Sequence, residues 1–274
     1  MNGNIRLLND TLAAAKEQGR AALIAYLPAG FPTVDGGIAA LAAVVHSGAD
    51  IVEVGLPHSD PVLDGPVIQT AADIALRGGT RIADVIRTVR ETYRATGKPV
   101  MVMSYWNPID RYGAERFAAE LAAAGGAGCI LPDLPVQESA RWRGQAAAHG
   151  LATVFVVAPS STDERLHEIA AVASGFVYAS ALMGVTGSGA SVGDAANALV
   201  RRIRAATELP VCVGIGVSNA EQARRIAEFA DGVIVGTAFV RAMLDAPDET
   251  AGLVSLRALT GELADSVRRK HALT

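Results

Sequence analysis

An acidic residue inside an apolar segment is the sequence feature that most constrains this fold. Residues 50–55 read Asp-Ile-Val-Glu-Val-Gly, and such a short apolar run is typical of a strand buried on both faces. The two-residue repeat of a strand places Glu53 on the same face as Ile51 and Gly55. Because an unpaired ionised carboxylate is costly to bury, Glu53 is expected to be either paired or functional.

A loop rich in proline and glycine follows this segment and carries two further acids, Asp60 and Asp64. A carboxylate on a strand and another on the loop that leaves it can converge on one small site. Different surroundings would separate their pKa values, which is how one site holds both an acid and a base. The alternative is a structural carboxylate that fixes a turn, because ion-pair networks also hold buried acids.

Eight short apolar segments, each followed by a helical pattern, indicate a parallel α/β protein. The predicted strands are 21–27, 50–55, 99–105, 128–131, 152–157, 175–178, 210–214 and 232–235. In a chain of 274 residues this pattern predicts a single-domain (β/α)8 TIM barrel over residues 1–274. An extra amphipathic N-terminal helix at 4–19 would cover its bottom. A doubly wound open sheet is the alternative, but the even spacing shows no topological switch point.

Helix boundaries are predicted from capping residues as well as from apolar periodicity. Thr33 or Asp35 is expected to cap the helix that ends near Ser47, and Thr80 the helix that ends near residue 96. Asn219 is expected to cap a helix that ends near residue 229.

Composition narrows the possible functions. The net charge is −4 and no dense cluster of basic residues occurs, so no nucleic-acid partner is expected. No apolar stretch reaches the roughly 20 residues of a membrane span, and the N-terminus lacks a signal-peptide pattern. Cys129 and Cys212 lie in strand-like runs, which favours small core residues in a reducing compartment. We therefore expect a cytoplasmic protein. None of the five histidines has metal-ligand spacing, so no metal site is predicted.

Barrel active sites lie at the carboxyl ends of the strands. Glycines recur in three neighbouring loops there, at Gly184 to Gly189, at Gly214 and Gly216, and at Gly236. They let backbone N–H groups approach an anion closely, and barrels often bind phosphate in this region. Ordinary turn glycines are the alternative. Four large side chains near strand ends belong either to the core or to a pocket for a flat apolar ligand: Tyr26, Met103, Tyr105 and Tyr178.

Several motifs, in order and spacing, resemble the tryptophan synthase α subunit over essentially the whole chain. They are Glu-Val-Gly-Leu-Pro-His-Ser-Asp-Pro-Val-Leu-Asp-Gly-Pro-Val-Ile-Gln at 53–69, Tyr-Trp-Asn-Pro-Ile at 105–109, Tyr-Gly at 112–113, Asp-Leu-Pro at 133–135, Gly-Val-Thr-Gly at 184–187 and Asp-Gly-Val-Ile-Val-Gly at 231–236.

The resemblance implies a retro-aldol cleavage of indole-3-glycerol phosphate to indole and glyceraldehyde 3-phosphate. Indole would pass through a tunnel to a β subunit, within an α2β2 complex. Pyridoxal phosphate would belong to that β subunit, and the present chain would need no cofactor of its own.

The resemblance also assigns roles by position. Glu53 would be the catalytic acid and base, and Asp64 would hold the indole N–H. The phosphate would be bound by Gly187, Gly216, Gly236 and Thr237, while the indole side would be lined by Tyr26, Met103, Tyr105, Tyr178 and Ile215. Thr186 would reach Asp64 when its loop closes, and Asp60 and Asn107 would face the β subunit.

Two regions depart from the common family pattern. His58 stands where an aromatic residue, usually Phe, is common. The residues 181–183 precede Gly184 where an arginine is often found. The altered loop motivates one alternative, a stand-alone indole-3-glycerol-phosphate lyase. A non-catalytic phosphosugar-binding regulator of a β-like partner is a second alternative, although both Glu53 and Asp64 are present. Another phosphate-binding barrel, such as a sugar-phosphate isomerase, is a third, and the motif at 53–69 argues against it.

Overall fold

The computed structural model describes residues 3–180, 192–214 and 216–268. All strands of this part of the chain belong to one parallel sheet with the order β5-β4-β3-β2-β1-β9-β8-β7-β6. The strands are β1 (Ala22–Pro28), β2 (Ile51–Gly55), β3 (Val100–Met103), β4 (Gly126–Ile130), β5 (Ala152–Val154), β6 (Val156–Val157), β7 (Val177–Ser180), β8 (Val211–Gly214) and β9 (Gly232–Val235). β5 and β6 stand at the two ends of this order but are separated by only one residue in the chain. The two edges of the sheet therefore lie side by side, and the sheet forms a nearly closed barrel.

The predicted barrel is confirmed, but the segment expected to be one strand at 152–157 forms two. β5 pairs with β4, and Val154 lies opposite Ile130. β6 pairs with β7 on the other side, and Val156 lies opposite Tyr178. Phe155 lies between them, and its carbonyl accepts a hydrogen bond from Tyr178 N at 3.0 Å. Residues 152–157 thus pair first with β4 and then with β7, and this change of partner at Phe155 divides the single predicted strand into two short ones.

The helices lie between the strands and in two terminal segments. They are α1 (Gly3–Glu17), α2 (Val34–His46), α3 (Pro66–Arg77), α4 (Ile82–Thr96), α5 (Trp106–Tyr112), α6 (Ala114–Ala123), α7 (Ala140–Ala148), α8 (Asp163–Ala170), α9 (Val192–Ala206), α10 (Ala220–Ala227), α11 (Thr237–Leu244) and α12 (Glu249–Ser266), with a 3-10 turn at Val136–Glu138. The sequence patterns did not predict α5, which begins directly after β3. No helix in the described ranges is both long and apolar enough to cross a membrane.

The interior of the barrel and its outer layer form separate apolar cores. The interior core includes Ile24, Ile51 and Met101 from the strands. Leu8 and Leu12 of α1 pack against this core from the amino-terminal end of the strands, as predicted for the extra helix. The outer core lies between the strands and the surrounding helices. Because the bottom is filled, the carboxyl ends of the strands remain as the place for a cavity.

Most capping predictions are confirmed, and one is wrong. Thr33 accepts a hydrogen bond from Gly36 N at 3.0 Å, and Asn219 caps α10. Thr80, however, does not cap α4, because Arg81 is the capping residue. The Thr80 side chain is buried and packs against Gly30, whose φ of +81° brings the turn close to it. Tertiary packing therefore outweighs the local preference of threonine for a helix start.

Candidate active site

A cavity of about 570 Å³ opens at the carboxyl ends of the strands. It contains both predicted catalytic carboxylates, Glu53 and Asp64. Its described lining residues are Tyr26, Glu53, Leu63, Asp64, Gly65, Ile68, Met103, Pro132, Val156, Val157, Ala158, Ser161, Arg165, Tyr178, Ser180, Gly214, Gly216, Ile234, Gly236 and Thr237. The volume suits a ligand of small-molecule size, and the lining combines apolar walls with a few polar groups.

Glu53 extends from β2 into the interior of the barrel. It lies opposite Tyr26 of β1 and Met101 of β3, and its side chain is fully buried. Neither of its carboxylate oxygens has a hydrogen-bond partner among the described residues. Burial raises the pKa of Glu53 to about 8, so the carboxyl group is predominantly protonated near neutral pH. A neutral carboxylic acid facing a cavity can donate a proton to a ligand and later take one back.

Asp64 lies on the loop between β2 and α3 and is held by Tyr105. The Tyr105 hydroxyl donates to Oδ2 of Asp64 at 3.3 Å and accepts a hydrogen bond from Leu63 N at 2.9 Å. Partial burial raises the pKa of Asp64, whereas the Tyr105 hydrogen bond and the nearby His58 lower it. The ring of His58 lies over that of Tyr105 with centroids 4.8 Å apart. The carboxylate thus has a fixed position and remains open to the cavity.

Tyr105 therefore differs from Tyr26 and Tyr178, which line the cavity directly. It stands behind Asp64 and is not among the described residues that line the cavity. Its side chain is buried, and burial raises the pKa of its hydroxyl to about 12, so it stays a hydrogen-bond donor. Tyr105 contacts the carboxylate of Asp64, whereas Met103 lines the cavity itself.

Two tyrosine rings, those of Tyr26 and Tyr178, line the cavity because glycines leave room for them. A Cβ atom at Gly55 would come within 2.3 Å of the Tyr26 hydroxyl, and one at Gly214 within 2.3 Å of the Tyr178 hydroxyl. Burial raises the pKa of both tyrosines well above the ordinary value. Gly214, which the sequence analysis considered only for anion binding, therefore also makes space for Tyr178.

Three of the predicted phosphate residues, Gly216, Gly236 and Thr237, line the cavity. Gly216 follows β8 and has a φ of +73°, and Gly236 precedes α11, which begins at Thr237. The first N–H groups of a helix lack intrahelical partners and carry partial positive charge, which favours an anion. Thr186, Gly187 and Ile215, predicted to complete the phosphate and indole sites, lie outside the described residues.

The two predicted partner-facing residues are exposed on loops or helices that leave neighbouring strands. Asp60 follows β2 and accepts a hydrogen bond from the Ser59 hydroxyl at 2.6 Å. Asn107 lies in the first turn of α5, directly after β3. Val62, on the same loop as Asp60, is 81% exposed. This rim therefore presents both polar and apolar groups beside the cavity mouth.

Several lining residues were missed by the sequence analysis. Ile234 faces the cavity two residues before Gly236, and strand alternation could have indicated it. Ser161 and Arg165 reach the cavity from the turn before α8 and from α8 itself. No sequence pattern distinguishes them from other polar residues at a helix start.

Comparison with known proteins identifies one family. A family model described as tryptophan synthase alpha chain matches residues 12–268. The tryptophan synthase alpha chain of Streptomyces coelicolor is 75% identical over 268 residues, which cover 98% of this chain and 99% of the relative. That of Streptomyces avermitilis is 77% identical over 263 residues, covering 96% and 95%.

Solved structures agree with the sequence matches. A structure of tryptophan synthase from M. tuberculosis aligns with a TM-score of 0.89 and 46% identity, covering 96% of this chain and 99% of that one. The tryptophan synthase alpha chain from Legionella pneumophila aligns with a TM-score of 0.88 and 32% identity, covering 97% and 99%. The similarity therefore extends over almost the whole fold.

Proposed function

The chain belongs to the tryptophan synthase alpha chain family, and on that premise we propose that Glu53 and Asp64 carry out the family's lyase reaction. The reaction is the cleavage of indole-3-glycerol phosphate to indole and glyceraldehyde 3-phosphate, a step of tryptophan biosynthesis. One observation carries the assignment of roles. A fully buried Glu53, which has no hydrogen-bond partner among the described residues, lines the same cavity as Asp64, which Tyr105 positions.

Glu53 begins the reaction as the acid. Its raised pKa of about 8 leaves the carboxyl protonated, and it gives this proton to C3 of the indole ring. The positive charge that develops on the ring nitrogen is stabilised by the carboxylate of Asp64, which accepts the indole N–H. Charge stabilisation at a preorganised group in a partly desolvated cavity is a strong catalytic effect.

Glu53 then acts as the base. Its carboxylate takes the proton from the hydroxyl on the glycerol carbon bonded to C3, and the bond between that carbon and C3 breaks. The bonding electrons return to the ring and neutralise it, the carbon becomes the aldehyde of glyceraldehyde 3-phosphate, and Glu53 is protonated again. The cycle uses only the two carboxyl groups, so we infer that the chain needs no cofactor. Each acid or base role is worth about 10²–10⁴-fold in rate.

The remaining cavity residues orient the substrate between these carboxylates and the phosphate site. We infer that the phosphate accepts backbone N–H hydrogen bonds near Gly216 and Gly236 and a hydrogen bond from the Thr237 hydroxyl. Gly187 would add a further N–H group, and Thr186 would contact Asp64. The indole ring would lie between the walls formed by Tyr26, Met103, Tyr178 and Ile215.

We further propose that a β subunit docks on the rim that carries Asp60 and Asn107 and receives the indole. Pyridoxal phosphate would reside in that subunit, and the assembly would be an α2β2 complex in the cytoplasm. The exposed side chains of Asp60, Asn107 and Val62 at the cavity mouth support this placement.

The experiment measures indole release from indole-3-glycerol phosphate by the purified chain, with and without a tryptophan synthase β subunit. Glu53→Gln and Asp64→Asn are compared with the matched surface variants Glu262→Gln and Asp265→Asn. We expect slow release alone, strong stimulation by β, and loss in the two cavity variants only. Fast release that β does not change would indicate a stand-alone lyase, and activity retained in Glu53→Gln would reject the proposed acid.

A further inference from the structure

Arg165 supplies a positive charge to the cavity lining. Among the lining residues in the described ranges it is the only lysine or arginine. It lies in the first turn of α8, where its backbone N–H donates to the Thr162 hydroxyl at 3.3 Å. Arg165 is exposed, so its guanidinium group lies at the mouth of the cavity and is accessible to a ligand that enters.

The turn that carries Arg165 is fixed by a second arginine. Arg202 of α9 donates from Nε to Oδ1 of Asp163 at 2.8 Å and from a terminal nitrogen to the carbonyl of Pro159 at 3.2 Å. Within the turn, the Ser161 hydroxyl accepts from Ala158 N at 3.2 Å. These contacts hold the start of α8 against α9, which limits the entropy lost when Arg165 binds a ligand.

The charge of Arg165 is not neutralised by its acidic neighbours on α8. Asp163 is engaged by Arg202, and Glu168 accepts a hydrogen bond from Gln137 at 2.9 Å. Glu164, the other acid in the first turn of α8, is exposed and forms no ion pair with Arg165 among the described residues. Within the described part of the chain, no carboxylate forms an ion pair with Arg165. An unneutralised guanidinium beside a cavity is suited to an oxyanion, and it matches phosphate geometry particularly well.

The cavity needs such a charge. A phosphate monoester carries about −1.5 to −2 at neutral pH. The cavity already holds the carboxylate of Asp64, which would repel it. The sequence 181–191, between β7 and α9, contains no charged residue. The backbone N–H groups near Gly216 and Gly236 carry only partial charges, so a full positive charge at the rim would add to their attraction.

We infer that Arg165 is a further substrate-binding residue, whose guanidinium group attracts and holds the phosphate of indole-3-glycerol phosphate. This inference rests on the proposed function. β6, which leads to α8, is separated from β8 by one strand, so the two strand ends lie roughly 10 Å apart. Arg165 and the predicted phosphate residues Gly216, Gly236 and Thr237 line the same cavity, so the arginine side chain and the phosphate can meet within it.

Binding of two probes tests the inference. One probe is indole-3-propanol phosphate, and the other is indole-3-propanol, which is neutral. We expect Arg165→Gln to weaken binding of the phosphate probe about tenfold, the size of one charge-assisted contact, and to leave the neutral probe unchanged. Arg165→Lys should retain most of the affinity because it keeps the charge. Arg94→Gln, on the exposed face of α4 and outside the cavity, is the matched control.

Kinetics add a second readout. Arg165→Gln should raise KM for indole-3-glycerol phosphate about tenfold with little change in kcat, and should reduce the salt dependence of kcat/KM. Unchanged binding of the phosphate probe, or an equal loss for both probes, would overturn the role of Arg165, as would wild-type protein that does not bind the phosphate probe. If wild-type protein binds both probes but releases no indole, the proposed function fails while the probe comparison still decides the role of Arg165.

Discussion

The Tyr105 hydroxyl lies 3.3 Å from Oδ2 of Asp64 and also accepts the N–H of Leu63 at 2.9 Å. One side chain from the end of β3 therefore holds both the carboxylate and the backbone of the loop after β2. Asp64 stands on a loop with exposed neighbours, so without this contact it would have far greater freedom. The position of the Asp64 carboxylate in the cavity therefore depends on its hydrogen bond with Tyr105.

Tyr105→Phe is predicted to lower kcat about tenfold with a smaller effect on stability. The substitution removes a hydrogen bond to Asp64, which is worth about 1 kcal/mol, and also frees the loop. Because this hydrogen bond lowers the pKa of Asp64, its loss should shift the acidic limb of the kcat/KM profile to higher pH. Steady-state kinetics across pH would measure both effects.

Tyr112→Phe is the control for this variant. Its hydroxyl donates to Glu120 at 2.6 Å, and Tyr112 does not line the cavity. It should leave the pH profile unchanged. An identical profile for Tyr105→Phe and wild type would show that Tyr105 does not position Asp64.

Glu53 is predicted to make the protein less stable as the pH rises. Its pKa is about 8 in the folded protein against 4.5 ordinarily, so between these values the unfolded chain binds fewer protons than the folded one. The stabilising contribution is therefore complete below pH 4.5 and is lost as the pH rises through 8. Between pH 5.5 and pH 8.5 the loss should be on the order of 3 kcal/mol.

Glu53→Gln should remove this part of the pH dependence, because its amide does not titrate. Urea unfolding at the two pH values would give the difference for wild type and variant. Glu262→Gln, on the exposed face of α12, should behave as wild type. Equal pH dependence in Glu53→Gln and wild type would mean that the Glu53 carboxyl is not perturbed by burial.

Gly214→Ala is predicted to displace the Tyr178 ring. The new Cβ would lie 2.3 Å from the hydroxyl, so the ring must move into the cavity or the strand must shift. We expect a loss of about 1–3 kcal/mol in the free energy of unfolding and a raised KM. Gly144→Ala, where a Cβ meets no atom within 4 Å, is the matched control. It should neither lower the free energy of unfolding nor raise KM. A Gly214→Ala protein with wild-type KM and stability would contradict the assigned contact.

Thr237→Ala is predicted to raise KM about three- to tenfold, through loss of one hydrogen bond to the phosphate. Thr237→Ser keeps the hydroxyl and should remain close to wild type. Affinity for indole-3-propanol, which has no phosphate, should be the same in all three proteins. A KM that follows side-chain size instead of the hydroxyl would exclude a phosphate contact at Thr237.

The sequence predicted the barrel and the central acid because both follow from local rules. Alternation along the strand placed Glu53 inside the barrel, and the cost of burying a charge indicated that it is either paired or functional. Local position left both Asp60 and Asp64 as candidates for the second carboxylate, and the family resemblance selected Asp64, which lines the cavity. The predictions of the barrel and of Glu53 needed only residues close together in the sequence.

Contacts between distant segments could not be predicted in this way. The hydrogen bond from Tyr105 to Asp64 joins the loop after β3 to the loop after β2. The packing of Tyr178 on Gly214 joins the neighbouring strands β7 and β8. Thr80 was expected to cap a helix but is held against Gly30 instead. In each case the local sequence is compatible with several conformations, and a contact with a distant segment determines which of them forms.

Titration of the Glu53 carboxyl group tests the central claim most directly. Carbon-13 NMR of protein labelled at the side-chain carboxyl of glutamate, compared with Glu53→Gln, would identify its resonance and follow it with pH. We predict a midpoint near 8, coincident with the alkaline limb of kcat/KM for indole release. A midpoint near the ordinary value of 4.5 would contradict the account, because Glu53 would then hold no proton to deliver to the indole ring at neutral pH.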